Sequence, residues 1–235
     1  MYKDKKIAVV IPCYKVSKSI NKVVSTLPNF IDKIYLISDA CPENSLNFVK
    51  SKSKKIVKKF RKNNGGVGAA VKDGYKLSLN DKNHITVRID GDGQMDPKLI
   101  KNFINPIINK KAAFTKGNRF LSLQFFNQMP YPRIVGNILF SLMGNVLIKN
   151  FKIFDFLNGY TSINNIALKK VLRKKLENDF YFETNFIYQL NRMGFKILDV
   201  KIKAKYENEN SNINIIKTGS TIFLKNIIYI LGIKK

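Results

Sequence analysis

Short strand-like segments at residues 7–11, 34–37 and 84–89, with another near 56–60 inside the basic stretch 50–62, each soon broken by proline, aspartate, asparagine or glycine, constrain this chain more than any other feature. A continuous run such as Ile7-Ala-Val-Val-Ile11 is the pattern of a strand buried on both faces, as in a parallel sheet covered by helices. Helical patterns lie between the runs. Ile20, Val23, Val24 and Leu27 recur on one face over 17–27 and stop at Pro28, and a second helix follows the glycine-rich stretch 64–70 as far as about Leu79. Strands alternating with helices, joined by right-handed crossovers, predict a doubly wound α/β sheet over roughly the first hundred residues. In such a sheet the parallel strands end along one edge, and ligands collect there.

The fourth run ends in Asp90-Gly-Asp-Gly-Gln-Met-Asp-Pro97, where an apolar strand gives way to two carboxylates one residue apart. Pro97 suits the first turn of the helix that Leu99, Ile100, Phe103 and Ile104 continue, so the acids stand on a strand-to-helix turn. Two acids there can hold a divalent cation through hard oxygen ligands, with a bound phosphate completing the shell. Acid pairs are common on solvated turns, and the other strand ends make this one a site. Pro12-Cys13-Tyr14 follows the first strand, Asp39 the second, and the loop with Gly66 and Gly68 the third. An aspartate can accept from a base N–H or a ribose hydroxyl, a tyrosine can stack, and glycines let backbone approach a ligand closely.

Other chemistries fit less well. Gly66-x-Gly68 lacks a third glycine, since position 71 is Val, and it follows the third strand, so it is no dinucleotide fingerprint. One histidine and two cysteines supply too few soft ligands for zinc, which leaves magnesium or manganese on oxygen. Cys13 and Cys41 form no disulfide framework and imply a reduced, cytoplasmic setting. Residues 1–11 are too short, and too quickly ended by Pro12, for a signal peptide.

The net charge of +26 suggests nucleic acid, an anionic membrane surface or acidic substrates as partners. Only Arg61, Arg88, Arg119, Arg133, Arg173 and Arg192 among the 42 basic residues are arginine. Arginine is the fork for specific phosphate and base readout, and the lysine cluster at 50–62 has no interleaved aromatics suited to a nucleic acid, so no nucleic-acid partner is expected. Part of the lysine excess also fits an AT-rich coding composition.

The second half is less regular. Residues 112–119 read as a strand and turn, 134–147 as a helix apolar over more than half its circumference, 182–193 as a further helix and 196–206 as an alternating strand. The tail, 213–235, is apolar with basic ends. It is shorter than the roughly 20 apolar residues of a spanning helix, and Lys225 interrupts it. It reads either as an interfacial helix on an anionic membrane or as a helix docked on the domain or on a second subunit of a homo-oligomer. The expected division is a domain over 1–212 and an amphipathic tail over 213–235.

The motifs Ile11-Pro-Cys-Tyr14, Ile37-Ser-Asp-Ala40, Asn64-Gly-Gly-Val-Gly-Ala-Ala-Val-Lys-Asp-Gly-Tyr75 and Asp90-Gly-Asp-Gly-Gln-Met-Asp-Pro97 together resemble the family 2 glycosyltransferases of GT-A fold. Most similar is the polyprenyl-phosphate, dolichol-phosphate mannosyltransferase-like branch. The resemblance continues through Thr115-Lys-Gly-Asn-Arg-Phe120, Met129-Pro130 with Arg133, Asp155-Phe-Leu-Asn-Gly-Tyr-Thr161, Tyr181-Phe-Glu183 and Ala204-Lys-Tyr206. It implies a single mixed-sheet domain that transfers a sugar, with inversion, from a UDP- or GDP-sugar to a lipid phosphate or glycan. By this resemblance Pro12, Tyr14 and Asp39 line the nucleoside, Asp90 and Asp92 hold Mg2+ or Mn2+ with Asp92 in direct contact, and Gln94 borders the sugar. Arg119 and Arg133 grip phosphate. Asp155 and Glu183 are candidates for the base that deprotonates an acceptor hydroxyl, a role not needed if the acceptor is already a phosphate anion. The multi-helix membrane C-terminus of some members of that branch is not seen in this sequence, so any contact with the inner face of the plasma membrane is expected from the basic tail and the helix over 134–147. The competing expectations are a polyanion-binding protein and a transferase fold without activity.

Overall fold

The computed structural model describes residues 1–122, 129–150, 152–203 and 215–231. The predicted parallel strands are present as β1 (Ile7–Cys13), β2 (Lys33–Ser38), β3 (Ile56–Phe60) and β4 (Ile85–Arg88). They are joined by α1 (Ile20–Ser25), a 3-10 turn at Ser45–Phe48 and α2 (Val67–Asn80). Then follow α3 (Ile100–Ile108), β5 (Phe114–Asn118), α4 (Tyr131–Ile148), β6 (Thr161–Asn164), α5 (Asn165–Val171), α6 (Phe182–Arg192), β7 (Ile197–Lys201) and α7 (Ile215–Ile230). The seven strands make one sheet in the order β3-β2-β1-β4-β6-β5-β7. Only β6 runs against its neighbours, pairing antiparallel with both β4 and β5.

Strand alternation divides the core into two layers. On one face Ile7, Val9 and Ile11 of β1 pack with Ile20 and Val23 of α1 and with Ile100, Phe103 and Ile104 of α3. On the other, Ala8 and Val10 meet Val71 and Tyr75 of α2 and Phe186 and Leu190 of α6. Every residue of β1 except the half-buried Pro12 is buried, which is why its sequence shows no alternation.

Three elements differ from the sequence reading. The first helix is shorter than 17–27, because the chain turns at Lys15, whose φ is +55°, and Ser17 bonds Glu43 instead of entering the helix. β6 and α5 went unpredicted: Thr-Ser-Ile-Asn is too polar and too short to read as a strand, yet it is clamped between two strands. The strand expected over 196–206 is seen as β7, and its end at 204–206 lies outside the described residues, as do 213, 214 and 232–235 of the tail.

The tail helix α7 lies on the domain. Ile222 and Tyr229 pack with Tyr181, Phe140 and Leu147, Tyr181 donates to Asn226 Oδ1 at 3.0 Å, and Asn185 donates to the Tyr229 hydroxyl at 3.0 Å. The Lys225 ammonium lies 2.8 Å from Glu177 and 2.6 Å from Asp179, and these carboxylates hold it cationic.

Candidate active site

Because β1, β2, β3, β4 and β5 all run the same way, their C-terminal ends open on one edge, and the antiparallel β6 begins there. This edge brings together the Pro12–Tyr14 segment, Asp39, the glycine loop, the carboxylate turn and Arg119. Three residues other than glycine along it have left-handed backbone, Lys15 (φ +55°), Ala40 (φ +49°) and Asp155 (φ +60°). Backbone of that kind costs energy and gathers at sites where geometry must be held.

The carboxylate turn is held from both sides. Ser19 donates to the Gly91 carbonyl at 2.7 Å, Gly93 has a φ of +84°, and the Gln94 amide donates to Asp92 Oδ1 at 2.9 Å. Asp96 then caps the next turn by accepting from the Lys98 amide, with Pro97 directly after it, and the buried Tyr160 hydroxyl donates to the Asp96 carbonyl. Asp90, Asp92 and Gln94 are half-buried, accessible to a ligand and fixed in place.

Behind Asp90 stands a residue that the sequence reading passed over. Arg88 is the last residue of β4, and the two-residue period puts it on the same face as Asp90. Its guanidinium is 4% exposed and bridges two acids, donating through Nη1 to Glu183 of α6 and through Nη2 to Asp90 Oδ1 at 3.2 Å. Arg88 stays cationic despite its burial, because Glu183 and Asp90 flank it. Burial pushes the Glu183 carboxyl up, and Arg88 pulls it back. Gly159 makes room for this cluster, since a Cβ there would come within 2.8 Å of Arg88 Nη2 and 2.9 Å of Asp90 Oδ2. A charged residue inside an apolar strand must be paired, and that was the signal available in Val87-Arg88-Ile89.

Asp155 is wholly buried and gripped by Arg119, which donates from Nε at 2.7 Å, from Nη2 at 2.6 Å and from its backbone amide at 3.0 Å. Asn158 adds a longer contact to the same carboxylate, and the Asp155 amide donates to Ser141 of α4. Burial alone would raise the Asp155 carboxyl, and the Arg119 guanidinium overrides it and holds it below the usual range. Beneath this pair the buried Lys116 donates to the Phe154 carbonyl and faces Asp199, which also accepts from Asn118 at 2.6 Å and from the Phe154 amide at 2.8 Å. Arg119 is thus a cation aimed by a built support. Arg133 is half-buried in the first turn of α4.

At the ends of β2 and β3 the chain's own contacts engage Asp39 and the glycine loop. Asp39 is buried, and its carboxylate accepts from the Gly65 amide at 2.9 Å and the Gly66 amide at 2.8 Å while pairing with Arg61 Nε at 2.8 Å. Arg61 reaches on to Asp73 at 2.7 Å. Gly66, with a φ of +86°, and Gly68 lie against this chain's own backbone at 177–178, where the Gly68 amide donates to the Asn178 carbonyl at 2.8 Å. Tyr14 is exposed, with the Lys15 ammonium over its ring.

The chain is 29% identical to a UDP-N-acetylglucosamine–dolichyl-phosphate N-acetylglucosaminyltransferase of Methanococcus voltae, over 86% of this chain and 87% of that protein. It is 25% identical to an uncharacterised protein of Methanocaldococcus jannaschii, over 93% of this chain and 90% of the other. Its fold is similar to that of glucosyl-3-phosphoglycerate synthase from Mycobacterium tuberculosis, crystallised with Mn2+, UDP and glucosyl-3-phosphoglycerate. That match has a TM-score of 0.75 at 14% identity and covers 99% of this chain and 82% of the other. The same enzyme with Mn2+, UDP-glucose and phosphoglyceric acid gives a TM-score of 0.74 at 13% identity, with the same coverage. The sheet is therefore a GT-A fold. The profile of glycosyl transferase family 2 matches residues 8–179, which include every strand end of the site, and this chain belongs to that family of nucleotide-sugar-dependent glycosyltransferases.

Proposed function

We propose that this enzyme moves a sugar, with inversion, from a UDP- or GDP-sugar to a polyprenyl-type lipid phosphate at the cytoplasmic face of a membrane. The observation that carries the reading is the state of the two carboxylates considered as bases. Asp155 is buried against Arg119, and Glu183 is paired with Arg88. An acceptor that is already an anion needs neither to take a proton, and the relative that acts on dolichyl phosphate supports that acceptor class.

Asp92 and Asp90 are the residues that would hold Mg2+ or Mn2+. Among the described residues no three His, Cys, Asp or Glu side chains gather into a metal site. Two hard carboxylates on a turn would supply only part of a hard cation's shell, and diphosphate oxygens and water would have to supply the rest. When bound there, Mg2+ or Mn2+ would supply neutralisation of the charge that develops on a leaving nucleoside diphosphate. Arg119, aimed by Asp155, grips phosphate at the same edge, with Arg133 as a second cation toward the acceptor, and Gln94 borders the sugar. Pro12 and Tyr14 line the nucleoside, and Asp39 acts by holding the Gly65-Gly66 loop in shape beside it.

The test is a melting-temperature screen of UDP- and GDP-sugars with and without Mn2+, followed by mass spectrometry of products formed with polyprenyl phosphate. A donor that raises the melting temperature only with the metal, an effect lost in Asp92→Ala, together with a sugar–phospholipid product, is the expected result. Stabilisation that persists in Asp92→Ala overturns the metal assignment. Transfer only to a hydroxyl acceptor overturns the lipid-phosphate assignment.

A further inference from the structure

Helix α4 has the length and composition to cross a membrane, yet it lies along the domain and only 28% of it is buried. Ile134, Ser141 and Ile148 face inward, and Ser141 bonds the Asp155 amide. Val135, Leu139, Leu142 and Val146 form a stripe along the outside, Val135 being 63% exposed. Beside α4, packed against its Phe140 and Leu147, α7 uses Ile222, Asn226 and Tyr229 to meet the domain and turns Phe223, Leu224 and Ile230 to the outside. Half of the large apolar side chains exposed among the described residues belong to this helix pair, and Leu231 follows directly after α7. Single exposed apolar residues are ordinary on a soluble surface, whereas a contiguous field of them marks a partner.

We propose that the outer faces of α4 and α7 form one surface by which this chain docks flat on an anionic bilayer. Charge selects that partner over a second copy. Neither helix contains an acidic residue, Arg133 lies in the first turn of α4, and Lys149 and Lys152 are exposed just beyond it, whereas Lys225 is taken up by Glu177 and Asp179 on the domain. A second copy would bring its own +26 to the same contact, while an anionic surface answers it. The inward face of α4 is committed to the domain, so the helix lies in the interface and does not span it. The inference rests on the lipid-acceptor reading and deepens it. It sets the bilayer on the outer side of α4, the helix whose inner side carries Ser141 against the Asp155 amide, so that a lipid phosphate would reach the site around that helix.

The experiment is co-sedimentation of the full chain with vesicles of phosphatidylcholine alone and of phosphatidylcholine with phosphatidylglycerol. The variants are Leu139→Ser with Leu142→Asn on α4 and Phe223→Ser with Leu224→Asn on α7, and circular dichroism melts show that each folds. The expected result is binding that requires phosphatidylglycerol, weakens with salt, and falls roughly tenfold or more in either variant. Unchanged vesicle binding in both variants overturns the proposal. So does light scattering that finds a wild-type oligomer broken by the same substitutions without a change in vesicle binding, which would make the patch a contact between copies. Transfer to a short-chain, detergent-dispersed lipid phosphate separates the two claims. If the wild type makes no product there but binds vesicles through the patch, the acceptor reading fails and the docking surface stands.

Discussion

Arg88 shows how one residue ties the site to the core. Its guanidinium stands between Asp90, which a ligand can reach, and Glu183, which is buried on α6, and its Nε is buried without a partner among the described residues. The three groups carry a net single negative charge, so removing the cation leaves a buried carboxylate uncompensated beside a second one. Breaking such a pair by deleting one partner costs about 3–5 kcal/mol, while replacing both by apolar groups costs far less. Arg88→Met is therefore expected to lose stability on that scale in urea denaturation, and Arg88→Met with Glu183→Leu to regain most of it. If the single variant is as stable as the parent, the bridge contributes nothing. The sequence revealed the acids on the turn but not this cation, because strand periodicity shows that Arg88 and Asp90 share a face and says nothing of which distant helix supplies the third charge. Asp39 was readable at a strand end, and Asp155 entered only through the family resemblance. Their commitment to the Gly65-Gly66 amides and to Arg119 depends on contacts between segments far apart in sequence.

At the scale of elements, the parallel half was legible because β1 and β2, buried on both faces, are written as apolar runs, whereas the edge strand β3 carries Lys58 and Lys59 and was marked only by Ile56, Val57 and Phe60. The half built around β6 was not, since Thr161, Ser162 and Asn164 earn no strand reading until β4 and β5 flank them. The start of α2 is an instructive case. Gly68 looked like a residue that lets a ligand approach, and here a Cβ at Gly68 would lie 2.7 Å from Phe182 Cβ and 2.8 Å from the Glu177 carbonyl. The helix start is thereby wedged against the segment that leads into α6, and backbone cannot yield as a side-chain tip can. Gly68→Ala should destabilise the fold by about 1–3 kcal/mol through overpacking. Gly136→Ala in α4, where the new methyl would meet only a Phe140 ring atom at 3.8 Å, should stabilise by about 0.5–1 kcal/mol from helix propensity. Thermal melts of the pair check both signs, and a Gly68→Ala variant as stable as the parent would return that glycine to a purely ligand-facing role.

For the whole molecule the open question is whether the chain ends as a domain with a tail or as one cooperative unit. Composition separates 213–235 from the rest, and that is what the sequence can register. The contacts of α7 run the other way. Lys225 neutralises Glu177 and Asp179, in the same segment whose 177–178 backbone seats Gly68, and Tyr229 and Asn226 satisfy Asn185 and Tyr181 on either side of Glu183. Burial of Ile222 and Tyr229 is worth about 1.5–3 kcal/mol for each side chain. A chain ended after residue 212 is then expected to melt in a single transition lowered by roughly 10 °C, since each kcal/mol moves a domain of this size by about 2–4 °C. It should also bind donor more weakly, because the segment that braces α2 and α6 has lost its cation. Calorimetry with a donor titration measures both quantities. An unchanged melting temperature would make α7 an appendage to a domain that is complete at 212, and weaker vesicle binding would then be its only consequence for the enzyme.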